Sequence, residues 1–545
     1  MILFSTFLIS TIITILLMPI FINLAYKANI LDIPDERKVH SDPTPRIGGI
    51  AMVLGAFIPI LLWAPMGQFV KSMLIGSGII VLFGLVDDTR KIGFKIKFLA
   101  QILAALIVIQ YGGLKIKSLG MFTEESYLLP VWISIPFTLV VIVGVTNALN
   151  LSDGLDGLAG GISLITFLCI GYLAYLHKFQ ACEVISVAMV GAIFGLLRYN
   201  THPAVVFMGD SGSQLLGFFV ITTSLALTQR DTQLSPVLPL FLVGMPIIDT
   251  LWAIFRRIKL KMSPFAADKN HFHHKLMRLG LFHSESVMSI YILHASFVYM
   301  ALIFRSKSDW FLLTLYLLFS GIITIALFLA VRNNWKINRF DFIDKIIKGR
   351  LRILKDENTI IKFSFQASEI VFIFLLILSC FLPRQINIYF SYSSMAFLFL
   401  IILTWFIKKK WAHSLIEISM FLMIPFLVYF GEKDTAYLTQ TTIKNAHTLS
   451  FGILTIFTLL TLKFTRRHGF KTTPMDILIL IFALVIPNLP DERIQSWQMG
   501  LVAAKIVVLF FSYEVLKGEL RFKTGKLNIT AVIALFIVSL RGFIG

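Results

Sequence analysis

The sequence is poor in charged residues and in cysteine. Only 14% of its 545 residues are charged, against roughly 25% in an average soluble protein. A soluble chain of this length would divide into domains with polar surfaces, and the polar residues for such surfaces are missing here. The three cysteines, Cys169, Cys182 and Cys380, have no spacing that indicates a disulfide framework or a cysteine metal site. A soluble enzyme and a disulfide-stabilised domain are therefore excluded.

Apolar runs of about 17–25 residues recur along the whole chain, which is the length that crosses a bilayer as a helix. The sequence predicts an all-α, polytopic helical membrane protein. The first run, Met1–Leu24, has no positive n-region and no small-residue cleavage site, so we interpret it as a membrane helix and not as a signal peptide. About eleven spans are predicted before residue 330, near 3–25, 46–64, 69–86, 97–110, 129–147, 157–175, 180–197, 211–228, 235–255, 286–304 and 309–330.

Three regions follow from this pattern. Residues 1–330 form a membrane core, 331–365 a basic cytoplasmic linker, and 366–545 a C-terminal transmembrane domain of unknown role. About seven further spans are predicted in the last region, near 366–384, 392–407, 411–430, 447–462, 474–488, 497–514 and 528–544. There His413, Glu417 and Glu514 interrupt apolar runs, which fits either a functional site or bonds between helices.

The net charge of +19 is explained by membrane topology. Basic residues concentrate in alternate loops, and the positive-inside rule makes those loops cytoplasmic. Nucleic-acid binding is therefore not expected, although a soluble protein with this charge would suggest it.

The polar motifs of the first 330 residues all fall on the predicted cytoplasmic side. They are Arg37-Lys38-Val39-His40, Pro45-Arg46-Ile47-Gly48-Gly49, Asp87-Asp88, the stretch from Asn147 through Asn150, Asp153 and Asp156 to Gly157, Met208-Gly209-Asp210-Ser211, and Asp268-Lys269-Asn270-His271-Phe272-His273-His274. Random placement among about ten loops would seldom give this result, so we predict one cytoplasmic cavity that these groups share.

The carboxylates at the span ends suggest a metal–diphosphate site. Asp87 and Asp88 are adjacent and repel each other, and a divalent cation relieves that repulsion. Mg²⁺ prefers such oxygen ligands together with substrate phosphates, and Mn²⁺ is an alternative. With Asp153, Asp156 and Asp210, this pair makes five carboxylates on the predicted cytoplasmic face, which favours such a site. Taken singly, each could also be a solvated acid at the end of a span.

The remaining groups allow two interpretations each. Asn147 and Asn150 are neighbours on a helix and could bind substrate or bond between helices. The glycines near Asp153 and Asp156 allow close approach of a neighbouring helix or of a phosphate. His271, His273 and His274 fit diphosphate binding, a transition-metal site or a structural loop. Arg46 could clamp a phosphate or anchor the loop.

In this order the motifs resemble those of the polyprenyl-phosphate N-acetylhexosamine-1-phosphate transferases, a family that also includes the phospho-MurNAc-pentapeptide translocase. The resemblance covers residues 1 to about 330. Arg37-Lys38-Val39-His40 with Pro45-Arg46-Ile47-Gly48-Gly49, and the run Ala267–Leu276, resemble the GlcNAc branch. A third acid sometimes written in the family's acidic motif is absent, because residue 91 is lysine. The resemblance does not extend to the C-terminal 215 residues.

The resemblance implies transfer of GlcNAc-1-phosphate from UDP-GlcNAc to undecaprenyl phosphate in the bacterial inner membrane, releasing UMP. It implies that Asp87, Asp88 and Asp210 are the metal ligands and catalytic residues, with Mg²⁺ held by Asp210 and an acid of the Asp87–Asp88 pair. His271, His273, His274 and Arg46 would carry negative charge of the substrate, while Asp153 and Asp156 would orient the site or bind nucleotide. Asp87 or Asp88 could accept a proton from the lipid phosphate. Direct attack by the lipid phosphate is favoured over a covalent aspartyl-phosphate.

A transporter or flippase of a lipid-linked or nucleotide sugar is the alternative. Transporters place their sites near the bilayer midplane, whereas these acids lie at span ends, which favours the enzyme. A fusion of an enzyme with a C-terminal partner-binding or transport module is also open, as are the exact sugar, the glycan pathway and a homodimer.

Overall fold

The computed structural model of the chain describes residues 2–33, 43–90, 92–121, 128–229, 234–263, 271–336, 358–433, 441–464, 499–519 and 525–544. These residues form two compact units. One unit holds the described residues up to 336, and the other holds those from 358 onward. Both are helical, so the predicted all-α membrane fold is confirmed. The predicted linker 331–365 lies mainly outside the described residues.

The first unit consists of helices and one short hairpin. Its helices are α1 (Ile2–Lys27), α2 (Gly48–Trp63), α3 (Gln68–Arg90), α4 (Phe94–Gln110), α5 (Val131–Leu151), α6 (Leu158–Leu176), α7 (Gln180–Asn200), α8 (Gly209–Thr228), α9 (Leu238–Leu242), α10 (Gly244–Lys259), α11 (Phe272–Arg278), α12 (His283–Phe304) and α13 (Asp309–Arg332). The hairpin pairs β1 (Leu31–Asp32) with β2 (Thr44–Pro45) in antiparallel register.

The second unit is a bundle whose described helices are α14 (Asn358–Phe381), α15 (Ile388–Ile407), α16 (Lys409–Lys433), α17 (Thr441–Phe464), α18 (Met499–Glu519) and α19 (Gly525–Ile544). Charged groups inside it are paired. Glu417 lies 3.1 Å from Lys517, and Glu432 lies 2.6 Å from Lys505. The first pair joins α16 to α18, as expected for a polar residue that bonds between membrane helices.

Sixteen of the eighteen predicted spans each coincide with one helix, and the span predicted at 474–488 lies outside the described residues. By length and composition, twelve of the described helices could cross a membrane. Others are shorter. For example, α2 has 16 residues, or about 24 Å, against roughly 30 Å for a hydrocarbon core.

The span predicted at 235–255 is wrong as one continuous helix, because it breaks at Val243 into α9 and α10. Pro246 explains the break. It has no N–H to donate to the Leu242 carbonyl, and in a continuous helix its ring would collide with that carbonyl. The Thr166 hydroxyl donates a hydrogen bond of 2.8 Å to the freed Leu242 oxygen.

Helix α8 forms the centre of the first unit, and all of its residues from Ser211 to Thr228 are buried. Small residues let its neighbours approach closely. A Cβ added to Gly84 of α3 would lie 2.5 Å from the Ser211 Cα, and one added to Gly217 would lie 2.7 Å from the Thr146 Cα of α5. These contacts bring the ends of α3 and α5 to the start of α8.

The hairpin is tied to the same point by backbone hydrogen bonds. Phe207 donates to the Pro45 carbonyl at 2.7 Å, and Gly48 donates to the Phe207 carbonyl at 3.0 Å. Gly209 has a φ of +70°, and a Cβ there would lie 2.5 Å from the Asp88 Oδ2. Glycine therefore allows the tight turn into α8 that places Arg46 beside Asp88.

Candidate active site

Two carboxylates from different helices converge on one lysine. The Lys97 Nζ, near the start of α4, lies 2.6 Å from the Asp87 Oδ2 of α3 and 2.6 Å from the Asp210 Oδ2 of α8. Their side chains are largely buried, at 9% and 13% exposure. Two anionic oxygens that face one point in a poorly solvated setting make a strong cation-binding position.

Asp88 has a different setting from Asp87. Its Oδ1 accepts the Asp210 N–H at 2.9 Å, and its Oδ2 accepts the Ser211 N–H at 3.2 Å and the Ser211 hydroxyl at 3.0 Å. The side chain is fully buried. Asp88 therefore caps the N-terminus of α8, where free backbone N–H groups and the helix dipole favour an anion.

Arg46 completes the charge cluster from the hairpin side. Its guanidinium lies 3.4 Å from the Asp32 Oδ1, 3.6 Å from the Asp210 Oδ1 and 3.8 Å from the Asp88 Oδ1. Burial alone would lower the pKa of Arg46, but the charges of Asp88, Asp32 and Asp210 raise it above its usual value. Arg46 thus stays cationic and can bind an oxyanion in the adjoining cavity.

Amide side chains link the acid cluster to α5. The Asn150 Nδ2 lies 3.4 Å from the Asp210 Oδ2, and the Gln214 Nε2 donates to the same oxygen at 3.1 Å. Gln101 bonds to Gln214 at 2.9 Å and to Asn147 at 2.5 Å. Asn147 is therefore a structural partner behind the cluster, whereas Asn150 faces Asp210 directly.

The turn between α5 and α6 carries two more acids with opposite properties. Burial and the charge of Asp210 raise the pKa of Asp153 to about 7. Burial alone would raise the pKa of Asp156, but a 2.7 Å hydrogen bond from His202 and the charge of His283 lower it below its usual value. Asp153 thus titrates near neutral pH, while Asp156 remains ionised.

Asp156, His202 and His283 place possible ligand atoms within 4.8 Å of one another. These atoms already have protein partners. The Asp156 Oδ2 accepts hydrogen bonds from His202 and from the Ala204 N–H at 3.2 Å, and the His283 Nε2 accepts the Asp156 N–H at 3.2 Å. The arrangement is therefore explained by local hydrogen bonding.

The three predicted histidines have separate surroundings. His271 is buried, and its Nδ1 lies 2.9 Å from the Asp249 Oδ2 of α10. Asp249 also accepts the Phe272 N–H at 2.7 Å and so holds the start of α11. The His273 ring packs against Gly154, where an added Cβ would lie 2.5 Å from the His273 Cε1. Burial and the neighbouring His274 lower the pKa of His273 to about 3, so this ring is neutral at pH 7.

A cavity of about 370 Å³ adjoins these groups. Seven of the predicted site residues line it, namely Arg46, Asn150, Asp153, Asp156, Asp210, His273 and His274. The other four, Asp87, Asp88, Asn147 and His271, are not among the residues that line it. Arg37-Lys38-Val39-His40 and Asp268-Lys269-Asn270 lie outside the described residues.

Several residues of the site were missed from the sequence. Lys97 is not among the predicted site residues, although a lysine at the start of a span and near Asp87 and Asp88 in the sequence was a usable signal. Asp249 gave a clearer signal in the sequence, because an acid inside an apolar run needs a partner. His202 and His283 gave no such signal, since their relation to Asp156 depends on how α6, α7 and α12 pack.

Comparisons with known proteins agree with the motifs. The family model for glycosyl transferase family 4 matches residues 70–228. The probable undecaprenyl-phosphate N-acetylglucosaminyl 1-phosphate transferase of Bacillus subtilis strain 168 is 36% identical over 331 residues, which is 60% of this chain and 90% of that protein. The undecaprenyl-phosphate alpha-N-acetylglucosaminyl 1-phosphate transferase of Escherichia coli strain K12 is 32% identical over 345 residues, again 60% and 90%.

A third relative is the decaprenyl-phosphate N-acetylglucosaminephosphotransferase of Mycolicibacterium smegmatis, which is 34% identical over 299 residues, or 49% of this chain and 74% of that protein. The resemblance seen in the motifs is confirmed. The chain belongs to glycosyl transferase family 4, as a multi-pass membrane protein related to the polyprenyl-phosphate N-acetylhexosamine-1-phosphate transferases.

Proposed function

We propose that this protein transfers GlcNAc-1-phosphate from UDP-GlcNAc to undecaprenyl phosphate, giving undecaprenyl-diphosphate-GlcNAc and UMP. The observation that carries the proposal is the convergence of Asp87 and Asp210 on one cation position, with Arg46 beside it and a cavity next to it. The named relatives act on these classes of substrate, and their similarity supports the same reaction here.

The site fits a hard divalent cation. Asp87 and Asp210 each direct an oxygen at the Lys97 ammonium, and the Asn150 amide adjoins Asp210. We propose that these oxygens would hold Mg²⁺, or Mn²⁺ in its place, since such ions take oxygen ligands. Bound there, the ion would neutralise the diphosphate of the nucleotide sugar and the charge of departing UMP. Asp88 would contribute by fixing the start of α8, because both of its oxygens accept hydrogen bonds from the first residues of that helix.

The protein groups provide positioning and charge, which is what phosphoryl transfer mainly requires. Arg46 supplies positive charge at the wall of the cavity, and Lys97 supplies it behind Asp210. Because its pKa of about 3 keeps it neutral, His273 acts as a hydrogen-bonding wall of the cavity and not as a cation. Asp153 and Asp156 line the cavity where the nucleotide would lie, and His271 positions the start of α11.

In the proposed reaction an oxygen of the lipid phosphate attacks the phosphorus that carries GlcNAc. A new P–O bond forms, the P–O bond to UMP breaks, and UMP leaves with the electron pair. The second pKa of a phosphate monoester is about 6, so the lipid phosphate is mostly ionised at pH 7 and needs little help from a base. Direct attack is therefore favoured over an aspartyl-phosphate intermediate on Asp87 or Asp88.

We further propose that the cavity faces the cytoplasm of the bacterial inner membrane, because the loops that carry Arg46, Lys97 and Arg278 belong to the basic side of the chain. Family membership also favours the enzyme over a transporter for the first 330 residues.

The test is UMP release by the purified protein in detergent, with UDP-GlcNAc, undecaprenyl phosphate and Mg²⁺. We expect release to require both lipid and metal and to be lost in Asp87→Asn and Asp210→Asn. Glu183→Gln is the matched control and should leave activity unchanged. Glu183 lies in the first turn of α7, whereas Asn200 at the other end of that helix lines the cavity.

Each other outcome has a definite meaning. Release with a different UDP-sugar would change the substrate and keep the mechanism. Stoichiometric UMP release without lipid would overturn direct attack and support a covalent intermediate. A folded protein that releases UMP from no UDP-sugar would overturn the proposed function in favour of transport.

A further inference from the structure

A second cavity lies at the opposite end of the same helices. Helix α8 begins beside the catalytic cavity at Asp210, and its last turn, with Leu225 and Ala226, lines the second cavity. Helix α3 runs in the reverse direction, from Phe69 at the second cavity to Asp87. The 20 residues of α8 span about 30 Å, which is the thickness of a bilayer hydrocarbon core. The two cavities therefore belong to opposite membrane faces.

The second cavity has a volume of about 540 Å³ and an amphipathic lining. Lys115, Lys117, Lys178 and His177 supply its polar part. Its apolar part includes Phe69 and Phe179, whose ring centroids lie 6.3 Å apart, together with Leu225. Such a lining offers cations to a charged group and an apolar surface to a hydrocarbon chain.

The charge on this face is concentrated at that cavity. By the alternation of the spans, few basic residues of residues 1–330 lie on this side, as the positive-inside rule predicts. They are Lys71, Lys115, Lys117, Lys178, Arg230, Arg305 and Lys307, and three of them line this cavity. Lys115 and Lys117 come from the loop between α4 and α5 and Lys178 from the loop between α6 and α7, so the cavity brings basic residues of two loops together.

The lysines of the cavity are available to a ligand. The described residues that line it include no carboxylate, and among the described residues no acidic side chain forms an ion pair with Lys115, Lys117 or Lys178. Burial and the positive charge of Arg305 lower the pKa of His177, so Arg305 contributes to the positive potential at the cavity. Within the described part of the chain these three ammonium groups have no carboxylate partner, and ammonium groups at headgroup depth attract anionic phosphate.

We propose that this cavity binds the phosphate group of an anionic amphiphile, with Lys115, Lys117 and Lys178 contacting the phosphate and Phe69 and Phe179 contacting the adjoining hydrocarbon. The site lies at the level of the lipid headgroups and about 30 Å from the catalytic cavity. It is independent of the proposed transfer reaction.

The experiment is lipid binding to the full-length protein in detergent, measured by native mass spectrometry with phosphatidylglycerol as the probe. Lys115→Gln combined with Lys178→Gln should weaken phosphatidylglycerol binding by about tenfold or more. Lys71→Gln combined with Lys307→Gln is the control, because it removes the same charge from exposed positions on the same face outside the cavity. The control should stay within about twofold of the unaltered protein.

Further arms identify the source of the phosphate. Phosphatidylcholine, whose headgroup has no net charge, should bind more weakly than phosphatidylglycerol. Competition by inorganic phosphate at millimolar concentration would support the site and make free phosphate its ligand, whereas no competition would support a lipid headgroup. Equal loss of phosphatidylglycerol in the cavity variant and the control, or no loss in either, would overturn the proposal. Because the altered residues are remote from Asp210, UMP release should be unchanged in both variants and reports that they are folded.

Discussion

Asp87 and Asp88 are adjacent in the sequence, yet the structure predicts that replacing them has different effects on stability. Asp88→Asn replaces a buried carboxylate that accepts three hydrogen bonds from Asp210 and Ser211. An asparagine has one acceptor oxygen, and its NH2 group would face donors at the other position. Asp87→Asn leaves this cap intact and removes only one of the two carboxylates that contact Lys97.

The expected magnitudes follow from these contacts. A hydrogen bond to a charged group contributes about 1.5–3 kcal/mol, and an anion at a partly buried helix N-terminus contributes up to about 2 kcal/mol. Asp88→Asn should therefore lower the free energy of unfolding by about 2–5 kcal/mol. For Asp87→Asn we expect a change within about 1 kcal/mol, because Lys97 keeps its contact with Asp210 and a partly exposed ion pair contributes little.

The assay is reversible unfolding in mixed micelles titrated with SDS, with UMP release measured on the same preparations. Both variants should lose transfer activity, but only Asp88→Asn should lose stability. A stability equal to that of the unaltered protein in Asp88→Asn would refute the cap, and an equal destabilisation of Asp87→Asn would show that the two acids have the same task.

Four other predictions follow from the geometry. Lys97→Met should lower the rate of UMP release by about a hundredfold, because the cation between two carboxylates is lost, and Lys97→Arg should restore part of it. With its pKa raised to about 7, Asp153 keeps a proton in the folded state that it would lose in the unfolded state, so its contribution to stability should decrease as the pH rises from about 4 to about 7. Asp153→Asn should remove that slope from unfolding curves. Gly154→Ala should displace His273 and raise the KM for the nucleotide sugar about tenfold without unfolding the protein. A chain that ends at residue 336 should keep UMP release, since the Bacillus subtilis relative matches along 90% of its own length without the C-terminal region.

These four predictions can fail separately. Activity of Lys97→Met within twofold of the unaltered protein would remove Lys97 from the site. An unchanged pH slope in Asp153→Asn would assign that slope to other groups. An unchanged KM in Gly154→Ala would show that His273 does not contact substrate. Loss of transfer by a folded chain ending at residue 336 would give the C-terminal region a part in the reaction.

The sequence by itself determined the membrane class and the helix positions, because hydropathy is a local property that needs no knowledge of packing. Most of the described helices begin and end within a few residues of the predicted spans, although the helices at Asn358–Phe381 and Thr441–Phe464 begin earlier than predicted. The span at 235–255 is broken, and Pro246 inside the apolar run was the overlooked signal. The motifs also determined the family, since several polar stretches in a fixed order are a specific pattern.

Only the tertiary structure decided what each polar residue contacts. Lys97 and Asp210 are 113 positions apart, and the rotation of α4 and α8 about their axes sets whether their side chains meet. The packing of helices also decides whether His271 meets Asp249. Asp87 and Asp88 have different partners because successive residues of a helix are turned by about 100°. Hydropathy records which residues enter the membrane, whereas helix rotation and close packing at small residues decide which of their side chains converge.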